Sequence, residues 1–97
     1  MILCYIAGPM TDLPGLNFPA FHAEAARLRE SGYEVINPAE LNPDTTMEWH
    51  MAMRKDIAAL VTCQAIYMLP GWSRSKGATL EYHIASRLGM IVLGALE

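Results

Sequence analysis

Ala65-Ile66-Tyr67-Met68-Leu69-Pro70-Gly71-Trp72-Ser73-Arg74-Ser75-Lys76-Gly77-Ala78-Thr79-Leu80-Glu81 passes from an apolar run through a polar loop into a helical pattern. Ala65 to Leu69 reads as a buried strand. Gly71 and Gly77 permit backbone shapes that a Cβ would forbid. Ser73 and Ser75 bring hydroxyls, Arg74 and Lys76 bring positive charge, and the unpaired N–H groups of a helix start face the same space. That combination suits an anionic or polyhydroxyl ligand. Glu81 falls near the first turn of the helix, where the dipole favours its ionised form. Two readings stay open here. One is an ordinary strand-to-helix loop with a solvated glutamate, and the other is an anion site with a carboxylate held beside it.

Working outward, Ile2 to Ala7 is apolar and partly β-branched, which predicts a central strand buried on both faces and ended by Gly8-Pro9. Asn17 is placed to cap a helix whose first turn takes Pro19. Phe21, Ala25 and Leu28 then fall on one face, and Gly32 stops the helix. Tyr33 to Ile36 is a second strand closed by Asn37-Pro38, followed by a polar loop. Thr45 and Glu48 have the spacing of a capping box for a second helix. On that helix Trp49, Met53, Asp56, Ile57 and Leu60 share a face. The carboxylate of Asp56 is out of place there: it faces a polar cleft, or it pairs with Arg54, Lys55 or a backbone donor. A third helix from Ala78 to Leu88 turns Leu80, Ile84 and Leu88 inward, and Met90 to Leu93 is the last strand.

The β-α-β-α-β-α-β order predicts one α/β domain over residues 1–97, a three-layer α/β/α fold with a parallel four-stranded sheet. The expected topology is flavodoxin- or Rossmann-like, with strand order 2-1-3-4. Ligands in such sheets bind beyond the C-terminal strand ends, at the switch in strand order. That rule gathers Ala7 to Asp12 after the first strand, Asn37-Pro38 after the second and Leu69 to Lys76 after the third, with Gly8, Pro9, Met10, Asn37, Gly71, Trp72, Ser73, Ser75, Lys76 and Gly77 as the expected binding residues. Tyr5 and Glu81 border the same cleft, and Asp56 enters it if its helix faces the first and third strands.

The chain has 97 residues, 53% of them hydrophobic and 18% charged, with a net charge of −3. A negative balance argues against binding a nucleic-acid polymer, which needs many cations to neutralise phosphates. No apolar run reaches the roughly 18 residues that span a bilayer, and the first residues lack the basic region of a signal peptide. Cys4 and Cys63 lie in or beside apolar runs, as reduced thiols do. A cytoplasmic protein is expected. Few charges on a small body, and two open sheet edges, predict a homodimer or higher homo-oligomer. His22, His50 and His83 have no metal-ligand spacing, and Gly8-Pro9-Met10 has no dinucleotide fingerprint, so neither metal nor cofactor is expected. Trp49 and the seven methionines read as core and interface filler. Trp72 stacks on a base, packs over the strand end, or makes a dimer contact.

Tyr5-Ile6-Ala7-Gly8-Pro9-Met10, an aspartate on the second helix, and Gly77-x-x-x-Glu81 together resemble the nucleoside 2-deoxyribosyltransferase superfamily. Asn17-Phe18-Pro19-Ala20-Phe21, Asn37-Pro38-Ala39-Glu40 and Leu69-Pro70-Gly71-Trp72 are similar to a small branch of it without an established reaction, found often in phages and prophages. The resemblance covers nearly the whole chain. It implies cleavage of the N-glycosidic bond of a 2′-deoxynucleoside or its 5′-monophosphate. In that case Glu81 is the nucleophile at C1′, Asp56 the acid/base that handles the proton on the base, and Tyr5 the hydroxyl that orients Glu81. A small nucleoside or nucleotide is the implied partner.

There are departures from the family pattern. Gln64 stands where the family has an aspartate before the third strand, and the C-terminal extension of the transferases is missing after the fourth. Both tilt the expectation toward hydrolysis, or toward binding alone, and away from base-to-base transfer. Ser73, Arg74, Ser75 and Lys76 suggest a phosphorylated ligand, since two cations have no use on a neutral nucleoside. Hydrolysis of a deoxynucleoside 5′-monophosphate through a glutamyl-sugar intermediate is the first expectation. A noncatalytic nucleotide-binding protein using the same cleft is the second.

Overall fold

Cys4, Tyr5, Ile6 and Ala7 are fully shielded from solvent, as a strand must be when it has neighbours on both edges and helices on both faces. They lie in β1 (Leu3–Ala7) of a computed structural model that describes residues 1–97. The chain continues through α1 (Phe18–Glu30), β2 (Glu34–Ile36), α2 (Pro38–Leu41), α3 (Trp49–Leu60), β3 (Ala65–Met68), α4 (Lys76–Arg87) and β4 (Ile91–Gly94). The strands form one four-stranded sheet in the order β2-β1-β3-β4. Every pairing is parallel, so the expected fold and strand order hold.

Alternation along β1 divides the core into two layers. Cys4 and Ile6 point to one face and pack with Phe21, Ala25 and Leu28 of α1 and with Ala39 of α2. Tyr5 and Ala7 point to the other and meet Leu60 of α3 and Ala78 and Ala85 of α4. In register, Tyr5 lies opposite Ile36 on one side and Ile66 on the other. The three strand ends Ala7, Ile36 and Met68 therefore open on the same edge of the sheet. No helix is long and apolar enough to cross a membrane.

The helices depart from the sequence expectations in four places. The buried face of α4 is Gly77, Ala78, Glu81 and Ala85, while Leu80 and Leu88, expected inside, are exposed. Small residues let α4 lie close on the sheet, and the large leucines are left outside. Asn37-Pro38 does not merely close β2 but opens α2. The Asn37 side chain accepts from the Ala39 N–H at 3.0 Å, with Pro38 at the first helical position.

The capping box at Thr45 does not form. α3 is preceded by Glu48 with no side-chain cap, because Asp44 takes both the N–H of Thr46 (2.9 Å) and its hydroxyl (2.6 Å). Such local side-chain turns compete with helix starts. Asn17 likewise does not cap α1; it sits in a left-handed conformation. Its Nδ2 donates to the carbonyl of Pro9 at 3.0 Å, which ties the loop after β1 to the start of α1.

Candidate active site

Tyr5 reaches the site because its position in β1 turns it toward the α3/α4 face. Its hydroxyl donates to Oε2 of Glu81. Glu81 is the sixth residue of α4, and no acidic residue stands in that helix's first turn. The N-terminal donors go instead to Ser75, whose hydroxyl accepts from the Ala78 N–H at 3.2 Å. A helix dipole acts mainly within one turn, so it does not hold Glu81 ionised as expected.

Burial dominates instead. Glu81 is 5% exposed, and desolvation pushes its carboxyl up to about 8. The Tyr5 hydrogen bond pulls it down, and the nearby Asp56 pushes it up again. Tyr5 is itself driven well above the ordinary phenol range by burial and by the charges of Glu81 and Asp56, so its hydroxyl stays a donor.

Asp56, on the inner face of α3, is 7% exposed. Neither Arg54 nor Lys55 bonds it. Its partner is Asn42, just past α2, whose Nδ2 donates to Oδ1 at 2.6 Å. Desolvation raises the Asp56 carboxyl to about 6, against lowering by the Asn42 bond and by the charge of Lys55. Asn42 carries no sequence signal, since the pairing joins two elements through a loop with no fixed spacing.

Asp56 and Glu81, from different helices, line one recess of about 50 Å³ with Gly8 and Gly77. Beside it lies a cleft of about 690 Å³ walled by Pro9, Met10, Gly71, Arg74, Ser75 and Lys76, with Asp12 also at its edge. Met10, Thr11, Trp49 and Ser75 border both spaces. The recess thus holds Asp56 and Glu81, and the cleft holds Arg74 and Lys76 together with Asp12.

Gly8 is required by close packing: a Cβ there would come 2.7 Å from the Cβ of Leu69. Gly71 is left-handed (φ 84°), which turns the chain from β3 into the loop. Gly77 lets α3 and α4 approach, since a Cβ would lie 3.2 Å from the Met53 sulfur.

Three of the expected binding residues are not brought to these spaces. Trp72 turns its indole N–H to the Ala95 carbonyl at 2.9 Å and lies on Tyr82, with ring centroids 4.6 Å apart. It packs over the strand end, one of the three roles open to it. Ser73 is exposed and lines neither space. Asn37 is consumed by capping α2 and by its contact with Nδ1 of His22 at 3.2 Å. Trp49, expected as filler, instead borders cleft and recess and carries the Lys76 ammonium 4.2 Å above its ring. Such a cation–aromatic contact holds the lysine stem across the cleft mouth.

Over residues 2–94 the chain matches the protein family described as "Domain of unknown function (DUF4406)". No curated protein matches it. Among solved structures it is similar to a 2-desoxiribosyltransferase from Leishmania mexicana, with a TM-score of 0.73 at 19% identity. That likeness covers 97% of this chain and 63% of the other. The chain therefore spans less than two thirds of that enzyme's length, and at such identity the likeness is one of fold.

Proposed function

The chain belongs to the family described as Domain of unknown function (DUF4406), and on that footing we propose that its cleft cleaves the N-glycosidic bond of a 2′-deoxynucleoside 5′-monophosphate by hydrolysis. The observation that carries this reading is the meeting of Asp56 and Glu81 in one recess, with the Tyr5 hydroxyl on Glu81. Two carboxyl groups with separated proton affinities are what glycosidic cleavage uses.

In the proposed reaction Glu81, as carboxylate, attacks C1′ while the bond to the base breaks and its electron pair leaves with the base. Asp56 gives the departing base its proton. The resulting glutamyl ester is then attacked at C1′ by water, whose proton returns to Asp56, and deoxyribose 5-phosphate leaves with Glu81 freed. Tyr5 orients Glu81 and stabilises its negative charge in both carboxylate stages. Arg74 and Lys76 hold the 5′-phosphate in the adjoining cleft.

Titration of the two carboxyls, about 6 for Asp56 and about 8 for Glu81, leaves the pair with one proton between them near neutrality. The reactive arrangement has that proton on Asp56. A base that accepts from Asp56 stabilises this arrangement, which couples ligand binding to activation of Glu81.

A noncatalytic nucleotide-binding protein is the second reading, and one observation favours it: burial raises the Glu81 carboxyl to about 8 and so favours its protonated form at neutral pH. Incubation with each deoxynucleoside 5′-monophosphate, following released base by chromatography, tests the first. Base release that is lost in Glu81→Ala, with nucleotide affinity retained, supports hydrolysis. Release undiminished in Glu81→Ala refutes the mechanism. No release from any of them, with a nucleotide still raising the melting temperature, favours the binding protein.

A further inference from the structure

Asn42 has its two amide atoms in unequal situations. Its Nδ2 donates to Oδ1 of Asp56 at 2.6 Å, while its own Oδ1, equally shielded, has no hydrogen-bond partner. The residue is 7% exposed and fixed at the end of α2, its backbone N–H donating to the Pro38 carbonyl at 2.9 Å. It lines neither recess nor cleft. The other oxygen of Asp56, Oδ2, accepts no protein hydrogen bond, and the side chain that carries it lines the recess.

These contacts divide the labour between the two oxygens of one carboxyl group. An oxygen that accepts from an amide N–H is a poor place for a proton, because the proton would meet the donor hydrogen. Turning the Asn42 amide over would set an acceptor against Oδ1 and draw the proton there, away from Oδ2.

We propose that Asn42 is a positioning residue for Asp56: by donating to Oδ1 it reserves Oδ2, the oxygen without a protein donor, as the one that carries the proton. The inference rests on the glycosidic reading for its use in turnover, since the proton held on Oδ2 is the one passed to the departing base. In the second half-reaction the same oxygen takes the proton from water. Asn42 touches neither substrate nor reacting atoms and acts only through Asp56.

The charged and titratable groups around Asp56 are few. Glu81 of α4 shares the recess with it, the charge of Asp56 is felt at Tyr5 of β1 as well as at Glu81, and Lys55 precedes it on α3. On α2 the only charge, Glu40, is bound by Arg29 at 2.7 Å, and on α4 Lys76 sits on Trp49.

The test compares the full-length chain with Asn42→Leu, which keeps the volume and removes the donor. The Asp56 carboxyl is followed by ¹³C NMR titration and identified by its loss in Asp56→Asn. Removing a donor from the charged form should move the Asp56 midpoint up by about one pH unit. Movement below about 0.3 unit overturns the proposal. If Asn42→Leu does not fold, Asn42→Asp serves. Two carboxyls at the present separation must share one proton, so Asp56 should titrate in two steps, and a single unshifted step overturns the role.

In base-release assays Asn42→Leu should leave KM little changed and move only the acid limb of the pH profile upward. A wild-type chain that releases no base refutes the glycosidic reading, while the carboxyl titration still judges the bond. A wild-type chain that turns over, with an acid limb unmoved in Asn42→Leu, overturns the part assigned to Asn42 and leaves the hydrolysis standing.

Discussion

Replacing Glu81 by Gln should make the protein more stable at neutral pH while removing its nucleophile. In the folded chain the Glu81 carboxyl titrates at about 8, against an ordinary value of 4.5. A carboxyl raised by folding leaves stability intact below the unfolded value. Stability then declines as pH climbs, because the unfolded chain ionises first, and the decline ends once the folded value is passed. Between pH 4.5 and pH 7 the accumulated loss is about 3 kcal/mol.

Gln stays neutral at every pH and keeps an oxygen to accept from the Tyr5 hydroxyl, so Glu81→Gln should escape that loss. Urea unfolding of both proteins at pH 4 and pH 7 reads it directly through the midpoint, provided the slope is unchanged. The two should coincide at pH 4, and Glu81→Gln should lead by about 3 kcal/mol at pH 7, a difference of roughly 10–20 °C in Tm for a domain of this length. An equal gap at both pH values, or a Glu81→Gln variant weaker at pH 7, would refute the claim that the folded chain keeps Glu81 protonated.

Other measurements bear on the same cleft. Initial rates of base release should give a bell-shaped kcat/KM profile with limbs near pH 6 and pH 8, the bounds of the state holding one proton between Asp56 and Glu81; a flat profile between pH 5 and pH 9 contradicts the pairing. Lys76→Ala should raise KM for a deoxynucleoside 5′-monophosphate about tenfold and leave the unphosphorylated nucleoside nearly unaffected, and equal losses for both would detach Lys76 from the phosphate. Trp72→Phe forfeits the bond to the Ala95 carbonyl and should cost about 1–2 kcal/mol of stability with KM unchanged. A large rise in KM with stability intact would make Trp72 a base platform after all.

The sheet could be read in the sequence because each strand is a short apolar run between breakers. Parallel order then follows from the intervening helices. The face of α4 could not be read in the same way. Periodicity chose Leu80, Ile84 and Leu88 as the largest apolar residues, yet the helix buries Ala78, Glu81 and Ala85. Size misleads where a helix must come close to a strand. α2 has only four residues, too few for any period, and its one signal, Asn37 before Pro38, equally describes a turn.

The positions of Tyr5, Asp56 and Glu81 were legible, but the charge of Glu81 was not. Proximity to a helix start suggests ionisation, and burial in the second turn opposes it more strongly. Asn42 was invisible for another reason. A hydrogen bond between a loop and a helix leaves no repeat in the chain, and only the folded arrangement of α2 against α3 creates it.

Tyr5 is both the centre of the sheet and the hydrogen-bond partner of Glu81, fully shielded in β1. This has a consequence for how such a protein can diversify. Any drift at Tyr5 would disturb the central strand, which both core layers share. The walls of the neighbouring cleft, Pro9 to Leu13 and Gly71 to Lys76, belong to connections that can be lengthened or recoloured without touching that strand. Descendants of this chain, natural or designed, should therefore change what they recognise far more readily than what they do to it.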